Sequence, residues 1–344
     1  GIRDSIRAIM PDQYEKVFNY DLQINLKADL DKKQKQDFIN SLTNDDKIEK
    51  LSETYMSSIS AINENVEENV QIIVPNNNSD FNTLINLTDV KSKNNLSLPE
   101  DGVLLTDKAA QLLGVEAGDN ITLKDTDENE TNVKVTNVVE NYVYHYIYMS
   151  KSMYENLYDK SFDSNVILTK DFNLDNETED NFVKDLMNMP EVASVTRIST
   201  AMNMMNDTMK SLNYVVVILI VSAGLLAFVV LYNLSNVNIS ERIRELATIK
   251  VLGFYNKEVF NYITKETRIL TVIGIFFGLF GGYFLSMYAV KTCELDMMMF
   301  NYEISKMCFI YGIIITIMFA EIVNLAVNRT LKKISMTESL KSVD

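Results

Sequence analysis

The chain has 344 residues, with 32 Lys and Arg against 47 Asp and Glu, one His and two Cys. From Tyr214 onward 12 basic residues face 10 acidic ones, which leaves 20 against 37 before it, so the first 213 residues carry −17 and the rest +2. A region that acidic repels phosphates, which excludes nucleic acid as a partner. Two thiols and one imidazole exclude a disulfide framework and a four-ligand zinc site, and any nucleophile–histidine chemistry would have to pass through His145.

The chain opens at Gly1 with no charged segment leading into an apolar one. Ile2, Ile6 and Ile9 fall at helical spacing and Pro11 ends the run, a pattern that predicts a membrane span upstream of this segment. Tyr20 to Leu26 alternates as a strand, Asp31 to Leu42 reads as a charged helix, and Asn69 to Pro75 as another strand. The stretch from Leu98 to Tyr158 differs in character. It predicts a strand, a helix over 107–113, a turn at Gly114 to Asp119 and further strands, together a β-rich, barrel-like insert over 96–159. Asn165 to Lys170, a helix over 179–189 and Val192 to Ile198 then return to an α/β pattern, so residues 12–95 and 160–200 are expected to form one α/β subdomain split by the insert.

Tyr142, Tyr144, Tyr146 and Tyr148 alternate, which places four tyrosines on one face of a strand. Such a face is either a surface for a partner or peptide or an element of cross-strand packing. His145 on the opposite face reads as an ordinary strand residue. Met202, Met205, Met209 and Leu212 form a stripe over 200–213, and no Gly or Pro occurs from Glu191 to Ala223, which predicts a stiff helical stalk.

Three runs, 214–232, 269–290 and 307–327, match the roughly 20 apolar residues that cross a hydrocarbon core. The loop 233–268 holds Arg242, Arg244, Lys250, Lys257, Lys265 and Arg268, and the tail 328–344 is also basic, whereas the loop between the second and third runs carries Glu294, Asp296 and Glu303. By this bias the loop 233–268 and the tail are cytoplasmic, and residues 1–213 and the short acidic loop lie outside. Gly274, Gly278 and Gly282 recur every four residues, a helix-packing face. Glu321 is an acid within a span, expected to pair with a neighbouring helix or reach toward the interface.

The loop reads LSNVNISERIRELATIKVLGFYNKE over 234–258. On a helix, Ile239, Ile243, Leu246 and Ala247 make an apolar stripe, with Glu241, Arg242, Arg244 and Glu245 opposite and Gly253 as a stop. A helix that only lies on lipid would be mostly basic; mixed signs suit a protein partner.

The string ISERIRELATIKVLGF strongly resembles the loop of the FtsX/MacB-type ABC permease family, and the tail RTLKKISMTESLKSVD is similar to that family's ending. The resemblance covers 214–344 and, more loosely, the outer domain. It implies a four-span unit, of which three spans are visible: an α-helical transmembrane bundle with a mixed α/β, MacB-like extracytoplasmic domain. It implies that the loop helix docks on a separate cytoplasmic ATPase through Ile239, Glu241, Arg242, Arg244, Glu245 and the Lys250 to Phe254 turn, Gly253 included. A second permease unit and the bilayer are the other implied partners. None of the eleven glycines sits in a phosphate-cradling G-x-x-x-x-G-K-[ST], so the chain is expected to bind no cofactor and to be no enzyme, with ATP on the partner. Export or extraction of a substrate, sensing of an extracellular peptide, activation of a wall hydrolase, action on a lipoprotein and a plain scaffold role all remain open at this stage.

Overall fold

Alternating apolar and polar residues mark out strands along the first two hundred positions, with short helices between them. The computed structural model describes residues 9–171, 174–294, 296–300 and 305–332. One compact unit takes Ile6–Thr208 together with Cys293–Asn301, and the long apolar helices form the other. The start of the expected N-terminal helix and the tail beyond residue 332 lie outside the described residues.

The first unit is built on nine strands: β1 (Leu22–Leu26), β2 (Ile48–Asn63), β3 (Val66–Pro75), β4 (Val103–Thr106), β5 (Asn120–Lys124), β6 (Glu130–Val139), β7 (Tyr146–Tyr148), β8 (Val166–Asp171) and β9 (Val192–Arg197). They lie in the order β3-β7-β4-β6-β5-β2-β8-β1-β9, and β2 also pairs β3. That extra pairing closes β3, β7, β4, β6, β5 and β2 into a ring, the barrel-like element expected of 96–159, although two of its strands come from before that segment. β3–β7 and β4–β6 are parallel and the remaining pairs antiparallel.

β2 belongs to both halves of the unit. Residues Ile48 to Thr54 pair with β8, with a register shift between Ile48 and Lys50, Thr54 to Asn63 pair with β3, and Ser60 to Ile62 pair with β5. The expected α/β subdomain and its insert therefore share one sheet rather than lying side by side as separate units. Ile59, Ala61, Val70, Ile72, Leu105, Ile121, Leu123, Val133 and Val135 alternate along the ring's strands and fill one core. Leu22, Ile24, Phe38, Leu42, Ile167, Phe182 and Leu186 fill another beyond it.

Short helices cover these cores, four of them started by a side-chain cap. Asp31 accepts from the N–H of Gln34, whose side chain returns the bond, and opens α1 (Lys32–Thr43) with a capping box. Asn77, Ser150 and Asp175 cap α2 (Asn78–Leu84), α4 (Lys151–Tyr158) and α5 (Asn176–Met187). Between them α3 (Asp107–Leu113) stops at Gly114, whose φ of 67° suits a residue without Cβ.

Among the described residues, three helices are long and apolar enough to cross a membrane. α6 (Ile198–Glu241) runs 44 residues without a break, so the expected stalk and the first span are one helix. Met202 packs at its root, while the side chains of Met205, Met209 and Leu212 lie outside the described residues. After α7 (Ile243–Val251), the second and third spans lie within α8 (Asn256–Cys293) and α9 (Lys306–Lys332).

Candidate functional site

The polar sequence after the first span folds into a turn of helix at its end. α6 ends at Glu241 and α7 starts at Ile243, with the N–H of Arg242 still bonded to Asn238 O at 3.2 Å and that of Leu246 to Arg242 O at 3.0 Å. Gly253, at φ 96°, stops α7. The N–H of Tyr255 then donates to Glu258 Oε2 at 2.8 Å, which satisfies a backbone donor at the start of α8.

The apolar stripe of this segment is covered by the same unit. Ile239 and Leu246 pack with Val259 of α8 and with Val323 and Val327 of α9. Ile239 is only 4% exposed, which corrects its place among the docking residues: it holds the loop against α9 and is not available to a partner. Glu241, Arg244 and Glu245 are exposed. Arg242 is half-exposed and paired with Glu266 of α8 at 3.1 Å. The turn adds Val251, Leu252, Phe254 and Tyr255, all exposed, so a charged helix edge borders a small apolar knuckle. The side chain of Lys250 lies outside the described residues.

The other residues singled out in the sequence are placed as follows. A Cβ built on Gly274, Gly278 or Gly282 would meet nothing within 4 Å, so no helix among the described residues packs on this glycine face. The close approach is made instead by Gly224 of α6 beneath the ring of Phe319 of α9. Glu321 is paired with Arg268 of α8, Nε to Oε1 3.4 Å.

The four tyrosines do not share a strand face. Only Tyr146–Tyr148 is strand, and both its tyrosines are buried in a core with Phe18, Tyr20 and Phe81. Burial raises the hydroxyl pKa of each. Tyr142 is partly buried, and Tyr144, at φ 61°, breaks the alternation and is 51% exposed. Gln13 explains the break: its side-chain oxygen accepts the N–H groups of Tyr142 (2.8 Å) and Val143 (3.0 Å), and its amide reaches Asn141 (2.9 Å).

Two features escaped the sequence reading. The first is the short acidic loop between α8 and α9, which pairs with the Tyr142 to Tyr144 segment: Tyr144 N–H donates to Met297 O at 2.8 Å and Met299 N–H to Tyr142 O at 2.9 Å. Glu294 lies 3.3 Å from Lys108 Nζ of α3, with both side chains largely buried. Its placement in the same unit agrees with a common side for this loop and the sheet unit.

The second is a cavity of about 250 Å³ at the root of α6, lined among others by Tyr14, Asp21, Asp171, Glu179 and Met202. Both carboxylate oxygens of Asp171 are buried without a partner. Burial, then the neighbouring Asp21 and Glu179 charges, push its pKa up to about 7 against the pull of Arg197. No group of three or more His, Cys, Asp or Glu suited to a metal ion occurs among the described residues.

Comparison with known proteins agrees with the helix pattern. Residues 217–331 match the family described as FtsX-like permease C-terminal. The periplasmic region of MacB from Actinobacillus actinomycetemcomitans aligns at 12% identity over 57% of this chain and 97% of that one, TM-score 0.34. The extracellular domain of the ABC-type transporter YknZ from Gram-positive bacteria aligns at 13% identity over 52% and 100%, TM-score 0.35. Overlays this loose do not assign the sheet unit's topology. No curated protein matches. The matched segment runs from the first membrane-length helix through the loop helix to the end of α9, and over these residues the chain carries an FtsX-like permease C-terminal region.

Proposed function

We propose that the chain couples ATP hydrolysis by a separate cytoplasmic subunit to movement of its sheet unit outside the membrane. The observation that carries this reading is the continuity of α6, a single 44-residue helix that leaves the sheet unit at Ile198 and ends at the exposed Arg and Glu edge of the loop. α6 holds no Pro and its helix runs on through Gly224, and a continuous helix transmits displacement along its axis instead of absorbing it in a hinge. The exposed Glu241, Arg244 and Glu245 edge and the Leu252 to Tyr255 knuckle are the surfaces an ATPase would grip, charge for orientation and apolar area for affinity. The Lys and Arg bias of the sequence supports a cytoplasmic loop and a sheet unit outside.

The full chain, purified from native membranes, is expected to bring down an ABC ATPase. The double reversal Arg244→Glu/Glu245→Arg should reduce that recovery about tenfold, and Leu252→Glu/Tyr255→Glu should abolish it, with the helical circular dichroism of the chain unchanged. Recovery of the ATPase undiminished by both variants removes the loop from the contact. A chain that recovers no ATPase returns the scaffold reading. Stimulation of the co-purified ATPase by an added extracellular peptide would select sensing or export over activation of a hydrolase.

A further inference from the structure

A loop between two membrane helices normally needs only to connect them. Here the first part of the connection, Cys293–Asn301, belongs to the sheet unit. Met298 forms an antiparallel bridge with Val143, flanked by the two backbone bonds at 2.8 and 2.9 Å. The flanking pattern makes Val143 and Met298 a non-hydrogen-bonded pair, the arrangement in which facing Cα atoms come closest, about 4.5 Å apart. Glu294 folds the loop on itself, since its Oε1 accepts the N–H of Phe300 at 3.3 Å while also lying 3.3 Å from Lys108 Nζ. The Lys108 and Glu294 side chains are 13% and 8% exposed, and Phe300 is buried. His145 is buried beside the bridge, close enough to Asp296 for that residue to act on its pKa.

These contacts differ from a loop resting on a surface. Backbone pairing fixes register, a mostly buried ion pair fixes position, and an aromatic side chain is removed from water. The loop is covalently continuous with the outer ends of α8 and α9.

We propose that residues 293–300 act as a latch that ties the outer ends of the second and third membrane helices to the sheet unit. Displacement then reaches that unit by two routes, along α6 and through the latch onto the Tyr142 to His145 segment and α3. The latch stays closed while the helices move, so the sheet unit follows them instead of swinging from α6 alone. The docked latch stands on its own contacts; its role in transmission rests on the coupling reading above.

The test uses the full chain in native membranes with Cys293 and Cys308 replaced by Ser. Val143→Cys/Met298→Cys should form a disulfide in most molecules under mild oxidation, read as loss of maleimide labelling. Lys108→Glu should lower the yield at least tenfold, and Lys108→Glu/Glu294→Lys should restore it to within about twofold, which separates loss of the latch from loss of the fold. Two free, labelled thiols in the Cys pair, or a yield indifferent to Lys108→Glu, overturn the docked latch. With the co-purified ATPase, the oxidised Cys pair should keep turnover within about twofold of the reduced form, whereas Lys108→Glu should lower it severalfold. Loss of turnover on oxidation would show that the latch must open, and overturns closed transmission. If the crosslinking holds but no ATPase binds, the coupling reading fails and the docked latch survives.

Discussion

Gly224 of α6 lies beneath the ring of Phe319 of α9, so close that an added Cβ would overlap the ring carbons. At this contact the first and third membrane-length helices approach closely. Gly224→Val is expected to force the two helices apart and to cost about 1–3 kcal/mol, the usual range for overpacking. Gly278→Ala meets open space and should cost nothing in the same chain. Thermal unfolding of the detergent-purified protein, followed by helical circular dichroism, distinguishes the two. A loss at Gly278 equal to that at Gly224 would contradict the packing described.

Asp171 gives the sheet unit a pH dependence of defined sign. Its folded pKa is raised to about 7 from an ordinary value of 3.8, so the folded state holds the proton more tightly than the unfolded one. The penalty is absent below the unfolded value and grows as pH rises through about 7. Asp171→Asn removes the titrating charge and is expected to stabilise the unit by about 2 kcal/mol at pH 8, with the gain roughly halved at pH 5.5. Chemical denaturation at the two pH values checks this; a gain larger at the lower pH reverses the sign.

His145 should make the latch weaken in acid. Burial, followed by the nearby Lys108 charge, lowers its pKa below the ordinary 6.5, only partly opposed by Asp296. Its Nδ1 is buried without a partner, so a second ring proton would find no acceptor. Docking is therefore fully stabilised above pH 6.5 and loses stability as pH falls through the lowered value. Hydrogen exchange of the Tyr144 and Met299 amides should quicken between pH 7.5 and 5.5, after correction for intrinsic rates, and His145→Phe should remove the excess.

Arg197 secures the root of α6. Its Nη2 lies 2.8 Å and its Nε 3.1 Å from the two oxygens of Glu179 of α5, and Nη1 also contacts Asp180. The guanidinium fork matches the carboxylate in a way an ammonium does not. Arg197→Ala is expected to destabilise the unit by about 2–4 kcal/mol, and Arg197→Lys to recover less than half of that, measured by denaturant unfolding. Full recovery by lysine would mean that charge alone matters there.

The membrane-length helices were legible because a long apolar run has few alternatives, and the helix start near Asp31 and the turn at Gly114 because local hydrogen bonding decides them. β2 was not legible. Its Ser-rich SETYMSSISAIN lacks a clean alternation, because the strand changes partners along its length and its buried face changes with them. The Tyr142 to Tyr148 pattern misled for a related reason: period-two spacing predicts a strand, but Gln13, far away in sequence, draws Tyr142 and Val143 out of line. In the candidate site the charged edge at Glu241, Arg244 and Glu245 was readable, whereas the burial of Ile239 depends on α9 and could not be read locally. The latch combines Lys108 with Glu294, two residues whose proximity no spacing rule announces.

The sharing of β2 has a consequence for how the outer part can deform. A strand of 16 residues spans about 50 Å, and here its ends are committed to different cores. Bending the ring against the flat sheet would require breaking a ladder in the middle of one chain segment, with no linker to take up the angle. A push delivered at either end is thus conducted through a beam, and excising the ring would leave the remaining strands β8, β1 and β9 without the neighbour that closes their flank.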